Sequence, residues 1–416
     1  MKDLKIAFLS YRSKPFSGGQ GIYVRYLSDA LQRRGHEITV FSGPPYPDLY
    51  PEVKLVKIPS LGLHEKRSKF FEVSLRDLMK PLNFFEWLSI NSGGFPEPYT
   101  FGKRVNAKLR SQLSEFDIVH DNQCLSYELL KLQSKIPLVS TLHHPISKDL
   151  KYQLKSTKDI FLKLLMIRWH SFLVMQKYVA KRLNKIIVPS NSSIRDINEE
   201  FGVDKKKMIR IMNGIDCSIF YPEEAVPKIN KRIVTVASSD VPLKGLDYLI
   251  HSLNKIKLKF PEVSLSVIGE KKKGGHTDRL INRLNLQGQI NFFSNLTQDQ
   301  IRKIYCESEL AVIPSLYEGF GFAAIEAMAC NVPLISTSGG ALPEVIEDCG
   351  KIINPMSSEE IYSSVIEAFL NKKDYENRAK KGLNRIKKYF SWDEIAKQYE
   401  KVYLEEIISF KNSCKQ

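Results

Sequence analysis

The sequence predicts an α/β protein made of two doubly wound, parallel-sheet domains in series. Three observations carry this expectation. The chain has 416 residues, about twice what one ordinary core takes up. Short apolar runs alternate with helix-length amphipathic segments from end to end, the pattern of βα units. The alternation breaks at a Pro-bearing stretch after Asn213-Gly214, with Tyr221-Pro222 and Pro227 ahead of the basic Lys228 to Arg232, and then restarts.

In the first half, strands are expected at Lys5 to Ser10, Ile38 to Phe41, Val53 to Ile58, Ile118 to His120, Leu138 to Leu142 and Lys185 to Pro189. A helix over Gly21 to Arg34 ends at Gly35, placed as a C-cap glycine would be. Ser60 to Thr100 breaks the rhythm with Lys66, Arg67 and Lys69, then Phe84, Phe85, Trp87 and Leu88, then the turn Gly93-Gly94-Phe95-Pro96-Glu97-Pro98. It reads as an insertion over the sheet edge or cleft mouth. In the second half, strands are expected at Ile233 to Ala237, Leu265 to Ile268, Ile290 to Phe293, Leu310 to Ile313, Pro333 to Ser336 and Lys351 to Ile353. A last amphipathic helix follows Tyr389-Phe390-Ser391-Trp392 and runs to about Phe410. The domains are thus expected at 1–212 and 213–392.

Composition narrows the function classes. Hydrophobic residues at 43% and charged residues at 26% are those of a soluble globular protein. No apolar run reaches the 18 residues of a membrane span, and Ile6 to Leu9 is too short for a signal-peptide core. A cytoplasmic protein is expected. Cys124, Cys217, Cys306, Cys330, Cys349 and Cys414 are scattered, with neither zinc nor disulfide spacing. The net charge is +16, and half of it falls between Ile146 and Lys185, where ten basic residues face only Asp149 and Asp159. No nucleic-acid recognition motif accompanies this charge. It is either a solvated helix face or a surface for an anionic membrane, where Leu150, Leu154, Phe161, Leu164, Leu165, Phe172 and Leu183 could form one apolar helical face together with Phe84 to Leu88.

The strongest local signal is Ser315-Leu316-Tyr317-Glu318-Gly319-Phe320-Gly321-Phe322-Ala323-Ala324-Ile325-Glu326. A buried strand ends at Pro314, and a glycine-containing loop opens a helix at about Phe322. Backbone N–H groups at such a start suit a phosphate. Glu318 and Glu326 can accept paired hydrogen bonds from sugar or ribose hydroxyls. Near the amino terminus, Phe16-Ser17-Gly18-Gly19-Gln20-Gly21 follows a strand and opens a helix, but lacks the G-x-G-x-x-G spacing of dinucleotide sites. Thr141-Leu142-His143-His144-Pro145 ends another strand, and His120 ends the one before it; for His120 a structural and a functional role are evenly weighted.

The Glu318-to-Glu326 segment resembles the group 1, family-4 type retaining glycosyltransferases of the GT-B fold, which carry a Glu, seven residues and a second Glu in such a setting. Val188-Pro189-Ser190, Met212-Asn213-Gly214-Ile215-Asp216 with Phe220, Lys244-Gly245, Val267-Ile268-Gly269, Ser338-Gly339-Gly340-Ala341-Leu342-Pro343-Glu344-Val345 and Phe390-Ser391-Trp392 extend the resemblance in order along the chain. It implies two Rossmann-like domains facing each other across a deep cleft, with a C-terminal helix, about 393–416, returning to the N-terminal domain. The N-terminal domain would bind the acceptor and the other the nucleotide sugar.

By the same resemblance, Glu326 would bind the donor ribose, Glu318 the transferred sugar, and Gly319, Phe320 and Gly321 its surroundings and the phosphate. Lys244 would neutralise the pyrophosphate and stabilise the leaving group. Gly18, Gly19 and Gly21 would form the glycine loop under the donor phosphate and acceptor. His143, with His144 as rival, would stand beside the reacting sugar. The implied partners are a nucleotide-diphosphate sugar and a glycan or lipid-linked acceptor, with no cofactor, no metal and no nucleic acid; no D-x-D occurs in the chain. A nucleotide-sugar epimerase, a phosphorylase or a non-catalytic sugar-binding member are the alternatives on this fold. One departure stands out. The family usually carries an arginine five residues before the lysine, where this chain has Ser239 followed by Asp240. A second cation is expected from Arg12 or Lys14, or from Lys271 to Lys273.

Overall fold

The structure, a computed structural model, describes residues 3–14, 19–63, 73–223 and 225–413. The chain divides into two compact units, one of Met1–Pro189, Ser193–Ile211 and Trp392–Gln416, the other of Ser190–Ser192 and Met212–Ser391. Each is a parallel sheet with helices in its crossovers, the two-domain α/β class that the alternation predicts.

The first unit holds β1 (Lys5–Ser10), β2 (Glu37–Ser42), β3 (Lys54–Lys57), β4 (Ile118–Asn122), β5 (Leu138–Thr141), β6 (Ile186–Val188) and β7 (Met208–Arg210), in the order β3-β2-β1-β4-β5-β6-β7. The sequence gives no sign of β7, whose three residues after Lys205-Lys206-Lys207 are too few to show alternation. The central β4 is buried along its whole length, as expected of a strand covered on both faces. The strand order reverses between β1 and β4, so the loops leaving their carboxyl ends diverge and open a crevice there. Of the expected insertion, residues 64–72, with Lys66, Arg67 and Lys69, lie outside the described residues. The remainder does more than overlay the sheet. Phe95 joins the unit's core, and Glu86, buried on the Pro81–Asn91 helix, meets Arg104, just past the insertion, at 2.6 Å.

The second unit holds β8 (Arg232–Val236), β9 (Ser264–Ile268), β10 (Ile290–Phe293), β11 (Leu310–Ile313), β12 (Leu334–Thr337) and β13 (Lys351–Ile353), in the order β10-β9-β8-β11-β12-β13. Here the order reverses between β8 and β11. The loops leaving those two strands are the ones that carry Lys244 and Glu318.

The Trp392–Ser413 helix belongs to the first unit, and a buried polar network holds it there. His120 on β4 is fully buried; its Nδ1 lies 2.6 Å from the Tyr403 hydroxyl and its Nε2 2.8 Å from Thr141 Oγ1. The Tyr23 hydroxyl donates to that of Tyr399 at 2.9 Å, and Arg34 Nε donates to the buried Glu400 at 2.9 Å. Trp392 stacks on Tyr26 with ring centroids 5.9 Å apart. Burial, and then the nearby His143, depress the His120 pKa to about 3 and keep the ring neutral. His120 is therefore a structural histidine. Among the described residues no helix is long and apolar enough to cross a membrane.

Tyr403→Phe strands His120 Nδ1 in a buried setting, so it should lower the unfolding free energy by about 1–3 kcal/mol. Urea denaturation reads this directly, and an unchanged midpoint would contradict the network's role.

Candidate active site

In the second unit the residues assemble at the strand-order reversal. After β8 the chain runs through Ser238 to Val241 into a single 3₁₀ turn, Pro242–Lys244. Gly245 follows in the left-handed region at φ 64° and opens the Leu246–Lys259 helix. A Cβ at Gly245 would fall 2.0 Å from the Pro314 carbonyl oxygen, so only glycine lets this turn pass so close to the end of β11. The Leu316 N–H donates to the Leu243 carbonyl at 2.8 Å and ties the two loops together.

That tie sets the central contact. Lys244 Nζ lies 2.7 Å from Glu318 Oε1, which also accepts from Ser315 Oγ at 2.8 Å. The Glu318 backbone is fixed from the other side, where its carbonyl accepts from the Ala341 N–H at 2.9 Å. Gly340, at φ 65°, makes room for it, since a Cβ there would stand 2.2 Å from that oxygen. The Ser338 to Val345 motif thus holds the Glu318 loop. Its Glu344 carboxylate accepts from the backbone N–H groups of Asn191 and Ser192, both at 2.9 Å, while Ser190 Oγ donates to the Gly319 carbonyl at 3.0 Å.

Gly321, at φ 108°, leads into the eight-residue Phe322–Ala329 helix; the Ala324 N–H turns back to the Gly321 carbonyl at 3.0 Å, and the Phe322 and Ala323 N–H groups precede the intrahelical ladder. Glu326 sits one turn further on, half-buried, with Oε2 3.1 Å from the Tyr305 hydroxyl. Burial raises its pKa to about 7, against the pull of Tyr305 and of the Lys244 charge. Phe320 is buried against Phe322 and Phe390, so its ring packs the core and only its backbone borders the loop. Lys244, Glu318, Glu326 and the helix start therefore share one end of this sheet: a cation, two carboxylates and open N–H donors, a set able to hold a phosphate and a polyol together.

Asp240 does not add its charge to this set. It sits at φ 59°, and its carboxylate accepts from the N–H groups of Thr277 (2.9 Å) and His276 (3.2 Å) at the start of the His276–Arg283 helix. Burial pushes its pKa up, but those hydrogen bonds and Lys272 at 3.9 Å hold it below the usual carboxylate value. Ser239 is buried, with its N–H on the Glu270 carbonyl at 2.9 Å. Of the expected substitute cations, Lys271 pairs with Asp278 at 3.0 Å and Arg12 stands 3.9 Å from Glu97, while Lys14 is exposed.

In the first unit, Gly18 lies outside the described residues, with Phe16 and Ser17. Gly19 begins the Gly19–Arg33 helix and is exposed, and a Cβ at Gly21 would meet the Lys14 carbonyl oxygen at 1.9 Å. His143 follows β5, the strand next to the unit's own order reversal between β1 and β4. Its Nε2 lies 2.8 Å from Asn122 Oδ1, its N–H donates to Gln123 Oε1 at 2.8 Å, and its ring stands edge-on to Tyr23. Burial, then the neighbouring His144, lower its pKa to about 3, so it is neutral. The rival, His144, is engaged with Asp149 at 3.0 Å. Asn122 and Gln123 escape the sequence reading, although both sit at a strand end beside the reversal, where Gln123 adopts φ 52°. Tyr305 also escapes it, because nothing in the chain links it to Glu326, 21 residues on.

Comparison with known proteins sets this geometry in context. Residues 17–219 match the family described as Glycosyltransferase Family 4, and residues 220–385 the one described as Glycosyl transferases group 1. The chain is 36% identical to the MMP alpha-(1->4)-mannosyltransferase of Mycolicibacterium hassiacum over 96% of this chain and 98% of that protein. Among solved structures, the sucrose-phosphate synthase of Thermosynechococcus elongatus superposes with a TM-score of 0.75 at 21% identity, over 98% of this chain and all (100%) of that one. The Anabaena protein Alr3699/HepE, solved in complex with UDP-glucose, gives a TM-score of 0.66 at 16% identity, over 97% of this chain and 100% of its own.

With the Glu326 pKa near 7, its carboxyl is protonated below that pH and charged above it. Carboxyl-labelled NMR should show one glutamate titrating about pH 7 that disappears in Glu326→Gln. A full set of glutamates titrating only near 4 would contradict the assignment.

Proposed function

This chain belongs to the group 1 and Family 4 glycosyltransferases, and we propose that it moves a hexosyl unit from a nucleotide-diphosphate sugar to a glycan or lipid-linked acceptor with retention of configuration. The observation that carries this reading is the gathering of Lys244, Glu318, Glu326 and the Phe322 helix start at one sheet end. We assign Glu326 to the ribose hydroxyls and Glu318 to the transferred sugar, with Gly319, the Phe320 backbone and Gly321 around the phosphate. Lys244 neutralises the charge that gathers on the departing diphosphate as the glycosidic bond breaks. No carboxylate is assigned as nucleophile, so the acceptor oxygen attacks from the face the diphosphate leaves.

His143 is assigned a hydrogen bond to a sugar hydroxyl, and its surroundings select the atom. Asn122 Nδ2 donates to Ser10 Oγ at 3.1 Å, which turns its Oδ1 to His143. The neutral imidazole then carries its proton on Nε2 and offers Nδ1 as an acceptor. The mannosyltransferase at 36% identity makes mannose the first sugar to try, with glucose second from the UDP-glucose complex of a structural neighbour. We place the activity in polysaccharide or glycolipid synthesis, on the cytoplasmic side and at the inner face of a membrane. We take the transfer to be metal-free, with Lys244 and the helix start standing in for a divalent ion, because no D-x-D occurs in the chain.

A panel of GDP-mannose, UDP-glucose and ADP-glucose with an oligosaccharide acceptor tests the reading through nucleoside diphosphate release. One donor should be consumed, and Glu318→Ala and Glu326→Ala should each lower the rate by about a hundredfold or more with the fold intact. Near-normal turnover in either variant would overturn the assignment. Turnover should also persist undiminished in EDTA; a loss restored by Mg²⁺ or Mn²⁺ would contradict the metal-free mechanism.

A further inference from the structure

The basic stretch of the first unit does not form a single helical face. Residues 146–185 break into three segments, and Phe172 and Leu183 are buried in the core. In the first segment, the Ser147–Ser156 helix, Lys148 pairs with Asp196 at 2.6 Å and Lys151 with Glu200, so two of its three lysines are occupied. The Ile160–Trp169 helix is different. Nothing on it is buried, and Ile160 (71%), Phe161 (65%) and Leu164 (58%) are largely exposed, with Leu162, Leu165 and Ile167 beside them. Its far end is moored: Trp169 stacks on Phe95 at 4.7 Å, and Arg168 Nη2 donates to Ser92 Oγ at 2.9 Å.

That mooring sets the helix beside the Pro81–Asn91 helix, which exposes Phe84, Phe85 and Leu88. The Leu173–Arg182 helix adds Val174 and Tyr178, four residues apart on its outer face. So much outward apolar surface marks a contact site. Its electrostatics are one-sided. From Ile160 to Arg195 there are seven basic residues and no acidic one. The nearest acid, Asp159, is taken up at the helix start, where it accepts from the N–H groups of Phe161 (2.8 Å) and Leu162 (3.2 Å).

We propose that this surface docks on the headgroup region of an anionic bilayer, with Phe161, Leu164, Phe84, Phe85 and Leu88 entering the acyl boundary and Lys155, Lys158 and Lys163 facing lipid phosphates. This deepens the placement at a membrane inner face in the reading above, naming the residues and the lipid charge. A second copy of the chain fits less well, because a two-fold interface would set this all-basic stretch against itself. An uncharged glycan would leave the lysines without counter-charges. An anionic bilayer supplies an apolar boundary and negative headgroups together.

Co-sedimentation with phosphatidylglycerol-containing and pure phosphatidylcholine vesicles tests this without any donor. Binding should require the anionic lipid and fade as salt rises through about 0.3 M. Phe161→Glu with Leu164→Glu should weaken it by roughly tenfold or more, as should Lys155→Glu with Lys158→Glu. Both double variants should keep the transfer rate of wild type on a soluble acceptor, so a failure of docking is separable from a failure of the catalytic reading. Equal binding to both vesicle types, or none to either, would overturn the proposal. So would a dimer by light scattering that the Phe161 and Leu164 changes dissolve.

Discussion

The contact on which the arrangement of the second unit's candidate site depends is the 2.7 Å approach of Lys244 to Glu318. These residues leave different strands and lie 74 positions apart, so the contact exists only if two loops run almost in van der Waals contact. Gly245 allows it on one side, against the Pro314 carbonyl, and Gly340 on the other, against the Glu318 carbonyl. A methyl group at either place would push the loops apart and with them the cation and the carboxylate. The motif glycines therefore act through backbone spacing. Once the loops are pinned, the helix start at Phe322 and Glu326 one turn beyond it are carried to the same sheet end by chain connectivity.

The first unit solves a different problem, that of holding a terminal helix and a neutral histidine in fixed places. Tyr399 and Tyr403 on the Trp392–Ser413 helix reach His120, Tyr23 and Thr141, and this buried network rivets the helix to the middle of the sheet. The next histidine, His143, stands at the edge of the same network. Asn122 and Gln123 clamp its ring and its backbone, and burial keeps it uncharged. The chain's tail thus stiffens the strand ends beside His143.

Much of this was legible in the sequence, where a local pattern has a local cause. Glycines at strand ends, the paired glutamates and the lysine ahead of a helix announce tight turns that bring these side chains together, because backbone geometry restricts which residues fit there. The illegible parts are those whose partners lie far along the chain. Asp240 reads as an unwelcome charge beside Ser239, yet it caps a helix that starts 36 residues later. His120 could be placed in the core only once Tyr403, 283 residues on, was seen to bond it. The basic stretch looks like one amphipathic face because periodicity does not reveal that Phe172 and Leu183 turn inward while Phe161 and Leu164 stay out.

The central claim is that the Lys244 cation held by Glu318 is the group that receives the donor's diphosphate. Calorimetric titration of UDP, GDP and ADP into wild type, Glu318→Gln and Lys244→Ala tests it most directly. Glu318→Gln removes the carboxylate that competes for the ammonium, so the preferred diphosphate should bind it at least as tightly as wild type. Lys244→Ala should bind that diphosphate about tenfold more weakly or worse, the usual loss for a charged hydrogen bond. Equal affinity in Lys244→Ala, or no binding of any diphosphate to wild type, would contradict the account.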